Sequence, residues 1–213
     1  MGSSRFLLVK RMLVLVKIVD HEERRRDIMQ VTAQIISKEG MSAATTRHIA
    51  RMAQSSLGIL THYFINKDEI VSGALNWCDE RFISQLDMMY DDEFLNLDDF
   101  VPLFKSLLPL DETSDTEWRV RVNLLTHSLT HTKLVKVRKE KIEFAYAESK
   151  RFVKKMQSSG EIRDDIDELV LSRMIVDLTF GTCINLLSFS MSERAAKVDK
   201  KIELMLSMLK PES

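Results

Sequence analysis

TTRHIARMAQSSLGILTHYFINKDEI, residues 45–70, is the stretch from which the fold is read. Thr45 or Thr46 offers a hydroxyl cap for a helix whose inward face takes Ile49, Ala50 and Ala53. Ser55 or Ser56 offers a second cap, for a helix through Leu57, Leu60 and Phe64. Both are short, about seven to nine residues with about three between them, and helices that short are marginal alone in water, so each must pack on a neighbour. That neighbour lies upstream, from about Glu22 to Glu39, where Ile28, Val31, Ile35 and Ile36 recur at helical spacing and Gly40 offers a C-terminal stop. Three helices with a tight turn between the second and third describe either a helix-turn-helix unit or any small three-helix packing. The outward chemistry of the third favours the first reading. Leu57, Gly58, Ile59, Thr61 and His62 lie around the face the core does not need, and a glycine there removes a side chain that would clash with a sugar-phosphate wall.

Working outward, a longer helix is predicted from Lys67 to about Tyr90, with Ile70, Ala74, Trp77, Arg81 and Phe82 near its face-setting positions, then a charged break at 91–93. Further helices are predicted over Asp98–Leu108, ended by Pro109, over Thr116–Thr130, and over Leu134–Gln157, ended by Ser158 to Gly160. Asp165 or Asp167 opens the next, apolar from Leu169 through Phe189, and the last runs from Glu193 to Leu209, before Pro211. Outside the N-terminus no stretch sustains strand alternation. The expected class is all-α, in nine or so segments.

Composition agrees. The 213 residues include only six Gly and three Pro, which leaves little room for flexible linkers or collagen-like repeats. Two cysteines, Cys78 and Cys183, cannot form a disulfide scaffold or a four-ligand zinc site; as free thiols in apolar helices they fit a reducing, cytoplasmic setting. Residues 1–75 hold 11 Lys or Arg against 7 Asp or Glu, and residues 76–213 hold 20 against 25, so a net of +4 is followed by −5. This split is either ordinary surface variation or a basic module for a polyanion joined to one that meets none. At the N-terminus Lys10, Arg11 and Lys17 interrupt an apolar run from Phe6 to Val19, far short of the roughly 20 residues that cross a bilayer. No small-residue cleavage site follows it. Alternation over Val14 to Val19 suits a short extended arm beside the first helix, and no membrane role is expected.

Residues 45–70 resemble the DNA-binding motif of the TetR family of bacterial transcriptional regulators. The family's threonine cap, isoleucine-alanine pair, serine at the reading-helix start, central glycine, His-Tyr-Phe run and following lysine match Thr45, Ile49-Ala50, Ser56, Gly58, His62-Tyr63-Phe64 and Lys67. The resemblance spans about 17–75 without a gap. EWRVRVNLLTHSL and the segment from SSGEIRDD to CINLL look, more loosely, like the C-terminal domain of the BetI-like subgroup. The family likeness implies a DNA-binding domain over 17–66 and a ligand-binding and dimerisation domain over 67–213. It implies that Thr45 and Thr46 meet a phosphate and that Ser56 and Leu57 open the reading helix. Gly58, Ile59 and Thr61 would approach base edges or a thymine methyl, and His62 and Lys67 the phosphates. Arg47 is either a phosphate or base contact or a solvated charge, and Tyr63 is core with a hydroxyl near the backbone. Two positions depart from the family pattern: His48 replaces an acidic residue that would complete a capping box, and Thr61 replaces a frequent tyrosine.

The larger half shows no phosphate loop, acidic metal ladder or nucleophile elbow. His127 and His131 are four apart, but Ser, Leu and Thr lie between them rather than the acid of a zinc helix. No metal, cofactor or catalytic residue is expected. Trp77, Phe104, Trp118, Val122, Phe144, Met174 and Phe180 either fill a core or wall an apolar effector pocket, with Arg81, Asn123, His127 and Asp177 as polar candidates. The helix over 169–189 has no polar face and must be covered on both sides. Ile175, Ile184 and Leu187, with Val198, Ile202 and Leu206 of the last helix, are expected to form a homodimer interface, which would set two reading helices on a pseudo-palindromic operator in double-stranded DNA. The implied function is a repressor released by a small apolar molecule or quaternary cation. The alternatives are a helical protein-interaction adaptor, or a DNA-binding regulator without an effector.

Overall fold

The computed structural model describes residues 3–90, 96–129 and 132–211, with side chains from His21 onward except those of 85–90, 99, 103, 132 and 133. The charged break at 91–93 and His131 fall outside these residues. All regular structure among the described residues is α-helical: α1 Ser3–Glu39, α2 Thr46–Met52, α3 Leu57–Tyr63, α4 Lys67–Tyr90, α5 Leu97–Ser106, α6 Glu112–Ser128, α7 Thr132–Ser158, α8 Glu168–Leu186 and α9 Met191–Leu209.

Local chemistry sets these boundaries. Gly40 and Gly160 end α1 and α7 in the left-handed region, with φ of 86° and 77°, where a Cβ is costly. Asp111 and Ser114 form a reciprocal capping box at the start of α6, and the Asp167 carboxylate accepts from the Leu169 and Val170 amides at the start of α8. Each cap satisfies otherwise orphaned donors and contributes about 1 kcal/mol.

The extended arm expected over 14–19 is corrected: α1 begins at Ser3 and carries those residues in helix. No Gly or Pro interrupts residues 3–39. A helix also satisfies its backbone groups from within, whereas an extended arm needs a partner strand, and none of the described residues forms one.

Two compact units divide the chain, Met1–Trp77 and Cys78–Ser213. The sequence-based division at 66/67 assigns all of α4 to the second unit, whereas these units part within that helix. In the first, Ile28, Ile36, Ile49, Leu60, Phe64 and Ile70 are buried. A Cβ on Gly73 would lie 2.7 Å from Met29 Sδ, so the glycine permits the close approach of α4 to α1. In the second, one cluster draws Phe100 and Phe104 from α5, Trp118 from α6, Phe152 and Met156 from α7, Leu171 and Leu186 from α8, and Val198 and Ile202 from α9. Arg194 is 3% exposed and locks the start of α9 in place, donating to the Pro109 and Phe189 carbonyls and pairing with Asp115 at 2.7 Å.

Among the described residues, α8 is the one helix long and apolar enough to cross a membrane by length and composition. Only 22% of its apolar window is buried by its own chain.

Candidate DNA-binding surface

The turn between α2 and α3 is assembled from four local interactions. Thr45, rather than Thr46, is the α2 cap; its side chain accepts from the His48 amide. Ala53 and Ser55 return their amides to Ile49 and Ala50, and Gln54 between them takes the left-handed conformation at φ 48°. Ser56, rather than Ser55, caps α3 by accepting from the Ile59 amide at 3.1 Å. From α1, Arg24 donates to the carbonyls of Ala53 and Gln54 at 2.9 and 3.4 Å, which pins the turn.

This arrangement gives α3 two faces. Leu60 is buried at 1%, with Phe64 beyond the helix end at 2%, while Leu57 and Ile59 are 44% and 46% exposed on the other side. Gly58, Thr61 and His62 are exposed beside them. Among the described residues, a Cβ on Gly58 would meet only Ser56 Oγ, at 3.9 Å, so their packing does not demand a glycine there. Thr61 turns its hydroxyl proton back to the Gly58 carbonyl at 3.0 Å.

The remaining expected DNA contacts are spread around this face. Thr45 and Arg47 are exposed and Thr46 is half-buried. Tyr63 is half-buried, its ring 5.5 Å from those of His62 and His21. Lys67 is half-buried, and its ammonium donates to the Met41 carbonyl at 3.4 Å. Sequence reasoning missed His21 and Arg24, which join Ser56, Gly58, Ile59, His62 and Tyr63 around an open hollow of about 500 Å³. Both come from α1, and no pattern on α3 signals them. His48, at the position of the expected acid, has its Nε2 3.1 Å from Glu39 of α1 and its Nδ1 accepting from Arg51 at 2.6 Å. The Thr45 amide, which a capping-box acid would bind, donates to the Ala43 carbonyl at 2.7 Å instead.

The second unit scatters the expected pocket residues. Phe104 and Trp118 belong to its core, and Trp118 donates its indole N–H to the Leu107 carbonyl while packing edge-on to half-buried Phe180. Val122, Asn123 and His127 are half-buried, Asn123 returning its amide to the Arg119 carbonyl of its own helix. Phe144, Met174 and Asp177 are exposed, and Asp177 accepts from the Tyr146 hydroxyl, which raises the tyrosine pKa. Trp77 is half-buried as the last residue of the first unit. Arg81 instead enters a charged network: it grips Glu117 through two bonds of 3.0 and 3.1 Å, while Arg121 and Lys141 pair with Asp79 at 3.1 and 2.9 Å. The Arg121 guanidinium also lies over the faces of Trp118 and Phe82. Beneath it, burial pushes the Cys78 thiol up to about 12, opposed by the Arg121 charge. A separate hollow of about 340 Å³ lies at Gln157, Gly160, Ile162, Arg163, Asp164, Asp165 and Pro211, none of which sequence reasoning proposed as site residues.

A short capped helix presented by a second short helix, with its outer face open, is the architecture of a helix-turn-helix DNA-binding regulator. Residues 28–74 match the family model of the bacterial regulatory proteins, tetR family. The transcriptional regulator PksA of Bacillus subtilis (strain 168) is 31% identical over 104 residues, 49% of this chain and 51% of PksA, so that match spans about half the relative's length. UidR of Escherichia coli (strain K12) is 21% identical over 172 residues, 81% of this chain and 86% of UidR. The BetI 1 regulator of Chromohalobacter salexigens is 40% identical over only 52 residues, 24% of this chain and 26% of BetI 1, so the likeness to that subgroup is partial. A transcriptional regulator from Saccharomonospora viridis, solved in complex with choline, shares the fold with a TM-score of 0.72 at 21% identity, over 85% of this chain and 96% of that one. The chain is thus similar to the TetR family over residues 28–74, and its described residues share the all-α fold of the solved regulator.

Proposed function

We propose that the chain acts in the cytoplasm as a homodimeric repressor that leaves its operator when a small molecule enters the second unit. The observation that carries the DNA-binding half of this reading is the divided α3, anchored by Leu60 and open at Leu57, Gly58, Ile59, Thr61 and His62. Since no described residue requires a glycine at 58, approach of an outside surface accounts for it. Thr45, Thr46, Arg47, Ser56, Tyr63 and Lys67 flank that face, and His21 and Arg24 extend it.

Support for a dimer comes from α8 and α9. Val170, Met174 and Leu178 are 52%, 60% and 59% exposed at four-residue spacing, and Leu204 and Met208 are each 62% exposed on α9. Two such stripes, rather than a span through lipid, call for a second copy, because Asp177 and Asn185 share the outward side of α8. Val198 and Ile202 are buried by their own chain, while Ile175, Leu187 and Leu206 pack against its core and Ile184 is half-buried. The proposed interface therefore centres on Val170, Met174, Leu178, Leu204 and Met208.

For the effector, the faces of Trp118 and Phe82 already carry the Arg121 guanidinium, which favours an apolar molecule over a quaternary cation. The regulator solved with choline supports the cation instead. α4 begins in the first unit and ends in the second, so it is the covalent route by which effector and operator would bias one equilibrium.

The test is a fluorescence-anisotropy titration against DNA flanking the chain's own gene, across salt concentrations, with scrambled DNA as reference. Sequence-selective binding by dimers that weakens with salt is expected. Binding no tighter than to scrambled DNA, followed by failure to enrich any fragment genome-wide, would overturn the reading.

A further inference from the structure

The open face of α3 is chemically unusual for a base reader. Residues 55–64 contain no Arg, Lys, Asn, Gln, Asp or Glu, so the reading helix has none of the side chains that make two-point hydrogen bonds to guanine or adenine edges. Its exposed Ser56 and Thr61 hydroxyls each already make one bond within the helix and can offer a base edge only a single further one. Ser56 Oγ accepts from the Ile59 amide, and Thr61 has given its only hydroxyl proton to the Gly58 carbonyl. His62 is the one exposed hydrogen-bonding ring, and it lies against Tyr63 and His21 on the side toward α1. What projects freely is aliphatic: Leu57 at 44% and Ile59 at 46% exposure, separated by a residue without a side chain.

Pressed into a major groove, such a face can make only single hydrogen bonds to adenine N6, cytosine N4 or guanine O6, through Ser56, Thr61 or His62, and no two-point bond to any base. The one apolar group that base edges offer there is the thymine C5-methyl. Gly58 lets the helix come near enough for branched side chains to enclose it, and the open space at its Cβ position leaves that approach clear.

We propose that this protein selects its operator half-sites chiefly through thymine methyl groups packed against Ile59 and Leu57, rather than through hydrogen bonds from α3. This inference rests on the DNA-binding reading above and specifies its chemistry. Ile59 and Leu57 become the specificity-determining residues, and each half-site carries A·T pairs beneath them. Sequence preference is then shallow, because a methyl contact discriminates less steeply than a two-point hydrogen bond.

The experiment uses duplexes enriched by the full-length protein from a random-sequence library. Each thymine of the enriched site is replaced in turn by deoxyuridine, which deletes one methyl and leaves pairing intact. Loss of about fourfold in affinity is expected at the contacted thymines, the effect of one buried methyl, with no change elsewhere. In Ile59→Ala the deoxyuridine effect at one of those positions should disappear, while Ile59→Val should retain it; both side chains are exposed, and circular dichroism checks the fold. An enriched site lacking thymine, or uniform tolerance of deoxyuridine, overturns the inference, as does full deoxyuridine sensitivity in Ile59→Ala. Failure to enrich any sequence would instead strike the DNA-binding reading itself.

Discussion

Glu69 joins three elements of the reading head, and its removal gives a quantitative test of how α3 is held. One carboxylate oxygen accepts from the Ile65 amide at 2.7 Å and the other from Arg25 of α1 at 3.0 Å, while the Glu69 amide donates to Asn66 Oδ1 at 2.9 Å. Asn66 thus caps the start of α4, while the Glu69 carboxylate reaches back to Ile65 and holds Arg25, whose guanidinium lies 4.8 Å over the Phe64 ring. Losing the acceptor for the Ile65 amide costs about 1 kcal/mol. The Arg25–Glu69 pair is about one-third exposed on both sides, so solvent screening limits it to about 0.5 kcal/mol. Glu69→Ala should therefore weaken the α3–α4 junction by about 1.5 kcal/mol, or roughly tenfold in its opening equilibrium.

Native-state hydrogen exchange reads that opening directly. The Leu60 and Phe64 amides, bonded to Ser56 and Leu60 carbonyls at 3.1 and 3.0 Å, are the reporters, and the Leu171 amide in the second unit is the internal control. Glu69→Gln keeps an acceptor for Ile65 but loses the charge, so it should show a smaller effect. If protection at Leu60 and Phe64 in Glu69→Ala stays within twofold of the parent, the junction is held by apolar packing alone and the reasoning fails.

The buried Ser55 hydroxyl has no hydrogen-bond partner among the described residues, so Ser55→Ala should raise stability by about 1 kcal/mol in urea denaturation; a loss would mean the hydroxyl is satisfied after all. Burial pushes the Asp115 carboxyl upward, but bonds from Arg119 and Arg194 outweigh it and hold its pKa below the ordinary 3.8. The stability it confers is present above that value and lost as pH falls through the lower folded-state pKa, so Asp115→Asn should flatten the stability–pH slope below about pH 4. Cys78 and Cys183, both buried with raised pKa values, should resist thiol-reactive probes at neutral pH until urea unfolds the second unit; rapid native-state labelling would contradict their burial. Leu178→Glu, with its side chain 59% exposed on α8, should yield monomers in sedimentation velocity while retaining helical content; an unchanged dimer would move the interface elsewhere.

The reading head was legible because its signals are local. Hydroxyl residues at Thr45 and Ser56, helical spacing of Ile49, Ala50, Leu60 and Phe64, and a short gap between them act within one or two turns, so sequence proximity carries the physics. The second unit was less legible because its decisive partners are distant. Arg81 and Glu117 are 36 residues apart, and Arg194 and Pro109 are 85, so residues proposed for a pocket turned out to include one arm of an internal ion pair. The proposed dimer face shows the same limit on one helix. Periodicity established that α9 has an apolar stripe at Val198, Ile202, Leu206 and Leu209, but not that its own chain covers Val198 and Ile202 while Leu204 and Met208, one step around, remain open. A hydrophobic pattern reports that a face must be buried; which chain buries it is decided by neighbours the pattern does not contain. His48 makes the converse point. A local motif reads it as a missing capping acid, whereas its ring ties α2 to Glu39 at the end of α1, a contact nine residues away that no capping pattern contains.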